Sequence, residues 1–445
     1  MQSGFQISPD TCLWSAGYNC VEQMNQKLLA IFQTQTLRQS IITIVSTFTT
    51  AGLGAVFYLL LARIIGAHEY GLFSVVVSIL TIIVTFTDVG MGQGLVKFVA
   101  ENSGSDKYQP YVKIALFTKI AIGLVVSLVL WAFAKSLAVS LLRQPEVAKL
   151  LSITGWGVLS IMLFSLSICV FQGLQKFMLW GGLQVGANFF RLLLLGFLLL
   201  VAVKIDSVWM LVLFIAAPLS GFLLSWFWLP VSILKAKVTS VHWHNFWNFN
   251  KWTAALGITA TLASRLDTLL TARFLTLSQT GVYAMAITMV AFLPQLSSAI
   301  GAVTAPKFAS FSDSDHSQKY LVKSTLFSFG ISVGVALAMI PAAMLVIRFT
   351  GRDFSASFTP FLILLLSLAI FTSLNPVRDS ILYFYKRPQF FFWANLAQAA
   401  IIVGAGFLLI PRFGVIGTSL AVLISHVFFA IASWWEYENC RAHAS

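Results

Sequence analysis

The chain has 445 residues, of which 58% are hydrophobic and 10% charged, with a mean hydropathy of +0.87. A soluble chain of this length would form two or three domains carrying roughly 25% charged residues, so a soluble globular protein is excluded. The net charge of +13 would point to nucleic acid in a soluble protein. Here the basic residues flank long apolar runs, as topology-setting charges do, and no nucleic-acid partner is expected.

Residues 1–40 are polar and read as an N-terminal cytoplasmic segment. They lack the basic start, apolar run and small-residue cleavage site of a signal peptide. Met24 opens a stretch that reads like a native start, so residues 1–23 read either as a disordered tail or as an over-extended start. A membrane helix needs roughly 20 apolar residues. The first such run is Ile41 to Leu61, without a charge. Others follow at 71–89, 114–134, 150–171, 179–203, 207–230, 252–272, 281–305, 324–347, 356–376, 389–410 and 414–435.

The expected fold is therefore an all-α polytopic membrane protein of about 12 helices. Its expected parts are an N-lobe at 41–230, a cytoplasmic inter-lobe linker at 231–251, a C-lobe at 252–435 and a cytoplasmic tail at 436–445. With both termini in the cytoplasm, 17 of the 28 Lys and Arg fall on the cytoplasmic side, Lys119 among them, and 9 on the other. That bias is the one expected of an inner (plasma) membrane protein in this orientation. The linker holds Lys235, Lys237, His242 and His244, and Trp243, Trp247 and Trp252 suit an interfacial stretch.

Little points to chemistry. The cysteines (Cys12, Cys20, Cys169, Cys440) have no metal spacing, and no disulfide is expected. His242 and His244 read as interfacial residues rather than metal ligands. The sequence has no Gly-Lys dipeptide, hence no P-loop. No outer loop exceeds about 15–20 residues, and none carries paired carboxylates or a nucleophile beside a base. No enzyme, cofactor or metal site is expected.

The chain repeats itself. LARIIGAHEYGLFS from Leu61 aligns with TARFLTLSQTGVYA from Thr271 at a constant offset of 210. Ala62-Arg63 matches Ala272-Arg273, Gly71 matches Gly281, Phe73 matches Tyr283, and Lys97-Phe98 matches Lys307-Phe308. Six helices separate each element from its copy, so both halves enter the membrane in the same direction. The result is a parallel repeat of two six-helix lobes related by a pseudo-two-fold axis along the membrane normal.

The segments LARIIGAHEYGLFS and TFTDVGMGQGLVKFVAEN resemble the polysaccharide biosynthesis, or oligosaccharide flippase (Wzx-like), family. That family belongs to the larger multidrug, oligosaccharidyl-lipid and polysaccharide exporter superfamily. RLDTLLTARFLTLSQTGVYAMA is similar to its pattern of an aspartate in the seventh helix, here Asp267, ahead of a Gly-x-Tyr, here Gly281-Val282-Tyr283. Thr276-Leu277-Ser278 departs from it, since relatives often carry a Gly and acidic residues there. The resemblance spans most of 38–435. It implies a flippase moving a polyprenyl-pyrophosphate-linked oligosaccharide from the inner to the outer leaflet for surface polysaccharide biosynthesis, by alternating access. Its partners would be that glycolipid, membrane lipid and other polysaccharide-assembly proteins.

Such a substrate needs cations for its diphosphate within the membrane. Arg191 lies mid-run in FFRLLLLGFLLL and Arg265 in TLASRLDTLL. A charge at that depth costs at least ~2.5–3.5 kcal/mol and should face a partner or a wet cavity. Arg191 and Arg265 are the expected pyrophosphate contacts, a planar guanidinium fork suiting phosphate oxygens. The alternative is a structural Arg191–Asp267 pair. Arg63 and Arg273 are repeat partners, either snorkelling anchors or product-side phosphate contacts. Asp88, Asp267 and Asp379 are the acids available for ion coupling. Asn188, Gln184, Gln295 and Gln398 could bond sugars or neighbouring helices. Gly90, Gly92 and Gly94 suggest close packing or a bend, and Gly182/Gly186 and Gly330/Gly334 allow close packing. A drug/cation antiporter of the superfamily would want acids in its cavity. A polymerase, ligase or non-transporting assembly component is the remaining alternative.

Overall fold

A computed structural model describes residues 35–202 and 204–443. The expectations for the first 34 residues, Cys12 and Cys20 included, lie outside the described residues. Every described element is helical. Strong apolar composition fills these helices with side chains that suit lipid and protein neighbours alike. Their ends are set by glycines, prolines and polar caps.

The chain opens with α1, Gln35–Asp88, a pair of membrane helices joined at Gly66. Gly66 has φ 73° and ψ 177°, a conformation that a side chain would strain. The kink divides α1 into arms α1a (35–65) and α1b (67–88). A short α2, Met91–Glu101, follows after a left-handed joint at Val89 and Gly90. Then come α3 (Gln109–Leu137), α4 (Val147–Gly173), α5 (Phe177–Leu200) and α6 (Ser207–Ser225). A turn of helix, α7 (Ser232–Lys235), leads to α8 (Ser240–Phe274), α9 (Leu277–Val290) and α10 (Phe292–Ser310). The last elements are α11 (Ser314–Thr350), α12 (Phe358–Ser373), α13 (Asn375–Asp379), α14 (Pro388–Phe413) and α15 (Val415–Ala442).

Among the described residues, ten stretches are long and apolar enough to cross a membrane, and one of them, Ile41–Asp88, is the kinked pair. With α8, which carries Arg265 and Asp267 within its apolar part, the described residues form twelve membrane helices. At 35 residues α8 is roughly 50 Å long, against a hydrocarbon core of about 30 Å. Its first turns, inside the stretch expected as a linker, extend the helix beyond that core.

The helices sort into two lobes. In the first, α3 packs on α4, α4 on α6, and α1 on α5. In the second, α14 packs on α8 and α15, and α12 on α11 and α15. Each has its own apolar core: Leu80, Met91, Val158, Met162 and Phe171 in the first, Tyr283, Leu293, Phe361 and Leu365 in the second. The lobes meet along α1 against α8 and α9. The repeat shows in the joints as well. Gly66 kinks the first copy, and at the matching position Thr276 caps α9 by accepting from the Gln279 amide.

One end of the bundle holds α2, α7, α13 and the end of α15, and is called the tail end. The other holds the Gly66 kink and the α3–α4, α8–α9 and α11–α12 joints, and is called the far end.

Candidate functional site

Between the lobes lies a cavity of about 550 Å³. Both arms of α1 form one wall, through Phe48, Tyr58, Phe73, Ser74 and Ser78. The opposite wall comes from α8, α9 and α10, through Arg265, Thr268, Thr288, Phe292 and Gln295. Arg265 is the one charged residue in this lining among the described residues. It is half-buried and makes no ion pair or hydrogen bond to any described group. Tyr58 stands on the facing wall with no hydrogen-bond partner for its hydroxyl among the described residues, and it lies within electrostatic reach of both Arg265 and Arg191.

Arg191 is the more deeply buried of the two arginines, 8% exposed, on α5. Its guanidinium sits between the rings of Phe214 (4.6 Å) and Phe57 (5.1 Å). Nη1 donates to the side-chain oxygen of Asn188 at 3.2 Å, while Nε finds no partner among the described residues. Cation–π contacts compensate a desolvated arginine by about 2 kcal/mol. Arg191 therefore stands behind Phe57 and Tyr58 and does not itself line the cavity. The two arginines bracket Tyr58 instead of forming one direct fork.

Asp267 does not pair with Arg191. It is buried against the second lobe, where the Tyr283 hydroxyl and the Thr268 amide each donate to it at 2.6 Å. The two motif residues quoted from the sequence, Asp267 and Tyr283, are thus one hydrogen-bonded pair. Arg265, two residues along the helix, faces the cavity from the other side of α8, as the helical period requires.

Asp88 is likewise engaged. It ends α1b, accepts from the Gly92 amide at 3.0 Å, and forms an ion pair with Lys119, which also reaches Ser165. Lys119, counted by sequence with the cytoplasmic flank, is fully buried inside the first lobe. Gly90 and Gly94 lie against Asn250 of α8, so their lack of side chains serves close packing. Gly182, Gly186, Gly330 and Gly334 have open space around them, and the close packing expected there is absent. Asn188 holds Arg191, and Gln295 lines the cavity.

A second polar cluster lies in the second lobe. Arg378 donates to Asn375 at 2.7 Å and to Ser297 at 3.2 Å, and its guanidinium lies 3.8 Å from the Phe371 ring centroid. Beside it, Thr304 hydrogen-bonds to Asp379. The sequence alone singles out neither Arg378 nor Tyr58. A neutral tyrosine within an apolar run carries no signal of its own.

Arg63 and Arg273 occupy the far end. Arg63 Nη1 donates to the carbonyl of Phe349 at 3.0 Å, and Arg273 Nη1 donates to the carbonyl of Leu141. Both bonds cross from one lobe to the other, and neither arginine reaches the cavity.

These features define a two-lobed, twelve-helix membrane protein with a cationic cavity between its lobes. A sequence model of the family described as "Polysaccharide biosynthesis protein" matches residues 36–312, and the chain belongs to that family. No curated protein matches the chain significantly. Among solved structures, the fold is similar to "Lipid II flippase MurJ, inward closed conformation" (TM-score 0.72, 17% identity, 89% of this chain and 87% of that one). It is similar to an inward-facing MATE-family multidrug resistance transporter of the MOP superfamily (0.70, 10% identity, 89% and 96%). An outward-facing MATE-family structure gives 0.59 at 11% identity, with 91% and 95% covered.

Proposed function

We propose that this chain is a flippase carrying a polyprenyl-pyrophosphate-linked oligosaccharide from the inner to the outer leaflet. The carrying observation is Arg265, an unpaired cation in the wall of a membrane-embedded cavity lined by no carboxylate. An unpaired cation held at membrane depth is costly and calls for an anion. A diphosphate supplies one, and Arg265 with the Tyr58 hydroxyl offers it donors from both lobes. Arg191, behind Tyr58, adds positive potential to the same wall. The aromatic rings of Phe48, Tyr58, Phe73 and Phe292 and the amide of Gln295 suit sugar faces and hydroxyls. The polyprenyl tail stays in lipid, passing between α1a and α10. That packing is slight beside the α1–α9 contact, and Phe48 and Phe292 bridge it at 6.0 Å.

The tail end corresponds to the cytoplasmic side by the distribution of lysine and arginine. The far end is sealed, so the cavity faces inward, ready for a cytoplasmic-leaflet substrate. Outward movement of an anion from a negative interior is downhill by about 2.3 kcal/mol per charge per 100 mV. Neither Asp88 nor Asp267 stands in the cavity, so transport driven by the membrane potential is favoured over an acid-based antiport cycle. A drug/cation antiporter would bring its substrate's positive charge against Arg265.

The test is binding and flipping of a polyprenyl-diphosphate oligosaccharide by the purified protein in liposomes. Arg265→Ala removes a charge-assisted bond of about 1.5–3 kcal/mol, so binding weakens roughly 10- to 100-fold. Unchanged affinity in Arg265→Ala would refute the site.

A further inference from the structure

We infer that Arg63 and Arg273 form a symmetric double latch that holds the far end shut, each arginine gripping the helix terminus of the opposite lobe. This rests on the alternating-access reading above.

The last carbonyls of a helix lack intrahelical donors and carry the negative end of its dipole, so a guanidinium there is favoured. Arg63, near the end of α1a, donates to Phe349, one residue before the end of α11, and its guanidinium lies 4.6 Å from the Phe349 ring centroid. Arg273, near the end of α8, donates to Ser140 (3.4 Å) and Leu141, in the π-turn that ends α3. Shifted by the repeat offset of 210, Ser140 and Leu141 become positions 350 and 351, beside Phe349. The two contacts are therefore images of one another: each lobe's first helix grips the end of the other lobe's third.

Between them the lobes touch backbone to backbone. A methyl group on Gly71 would overlap the Leu277 carbonyl, and one on Gly281 would overlap the Ala67 carbonyl. Ala67 and Leu277 are again 210 apart, so this contact too is two-fold symmetric. Neither glycine needs a left-handed backbone, so the close approach alone excludes a side chain. Gln144 adds a further bond across the seam, donating to the Ala272 carbonyl at 3.0 Å. Ala67, Gly71, Ala272, Leu277 and Gly281 are buried in the seam while Arg63 is exposed at its edge, and none of these contacts is covalent, so they can release together when the lobes rock.

The test reads access to the cavity and needs no substrate. In the full chain with its cysteines replaced by serine, Ser74→Cys places one thiol in the cavity wall. A membrane-impermeant maleimide is applied from the side opposite the C-terminus. Labelling is slow in this parent. The Arg63→Ala/Arg273→Ala pair is expected to label at least several-fold faster, each single variant falling between, and the two singles matching each other. Gly71→Ala, which acts by sterics alone, raises labelling in the same direction. Arg63→Lys/Arg273→Lys, keeping donors, returns it toward the parent rate. Parent-like labelling in both the double-alanine and Gly71→Ala proteins, with all variants monodisperse in detergent, overturns the latch. Because no glycolipid is involved, that result would leave the substrate assignment standing. A failed flipping assay would equally leave the latch intact.

Discussion

Lys119, Arg191 and Asp267 each have their own electrostatic solution within this membrane domain. Lys119 is neutralised by Asp88, Arg191 by two rings and an amide, and Asp267 by a tyrosine and a backbone amide. Arg265 has no such partner, and that singles it out. Removing one member of a buried pair leaves an uncompensated charge, at about 3–5 kcal/mol. Asp88→Ala is therefore expected to lower thermal stability strongly. Asp88→Asn/Lys119→Met recovers much of the loss, because it buries no charge. Equal melting temperatures for the single and double variants would contradict the pair. Tyr283→Phe is expected to destabilise by about 1–3 kcal/mol through the unmet Asp267 carboxylate, while glycolipid affinity in the protein that remains folded stays at the parent level. Arg265 was legible in the sequence as a charge inside an apolar run. Lys119 was not, because a lysine near the end of such a run looks the same whether it flanks the membrane or turns inward to an aspartate 31 residues away.

At the scale of elements, hydropathy marks the helices and glycine marks their joints. The Gly66 kink holds an angle between α1a and α1b that only glycine adopts without strain, so Gly66→Ala should cost roughly 1–3 kcal/mol, measured by thermal unfolding in detergent. The α10–α11 joint depends on charge. Asp313 accepts from the amides of Asp315 and His316 at the start of α11. Its hydrogen bond with His316 holds its carboxyl below the usual carboxylate range. A depressed value means the ionised cap stabilises the helix above the unfolded-state value and stops doing so as pH falls through the folded one. Amide exchange in the first turn of α11 should therefore accelerate on acidification in that range, and Asp313→Asn should blunt the response. Most helix positions could be read from apolar runs, with bounds shifted by several residues. The length of α8 could not, because its polar first third reads as a linker. The GxxxG pairs misled for a related reason: spacing shows that two glycines share a helix face, but not whether that face meets protein or lipid.

For the whole molecule, the 210-residue repeat is the most informative property. It was legible from five identical positions in one register, and it accounts for the two lobes, the matched kink and cap, and the paired contacts at the far end. What sequence could not supply was distance across the pseudo-two-fold axis. Arg63 and Arg273 could be matched to one another, yet their partners, Phe349 and Leu141, lie in other helices and are backbone groups without a sequence signature. Tyr58 entered the site for a similar reason, through the cavity it faces.

Whether the inter-lobe cavity carries an anionic glycolipid headgroup is decided by transport in sealed liposomes. A polyprenyl-diphosphate oligosaccharide and a cationic dye are offered to the same purified protein under an imposed membrane potential. Glycolipid movement is expected to respond to the potential and to fall at least ten-fold in Arg265→Ala, with no dye transport. Dye accumulation without glycolipid movement, unaffected by Arg265→Ala, would contradict it.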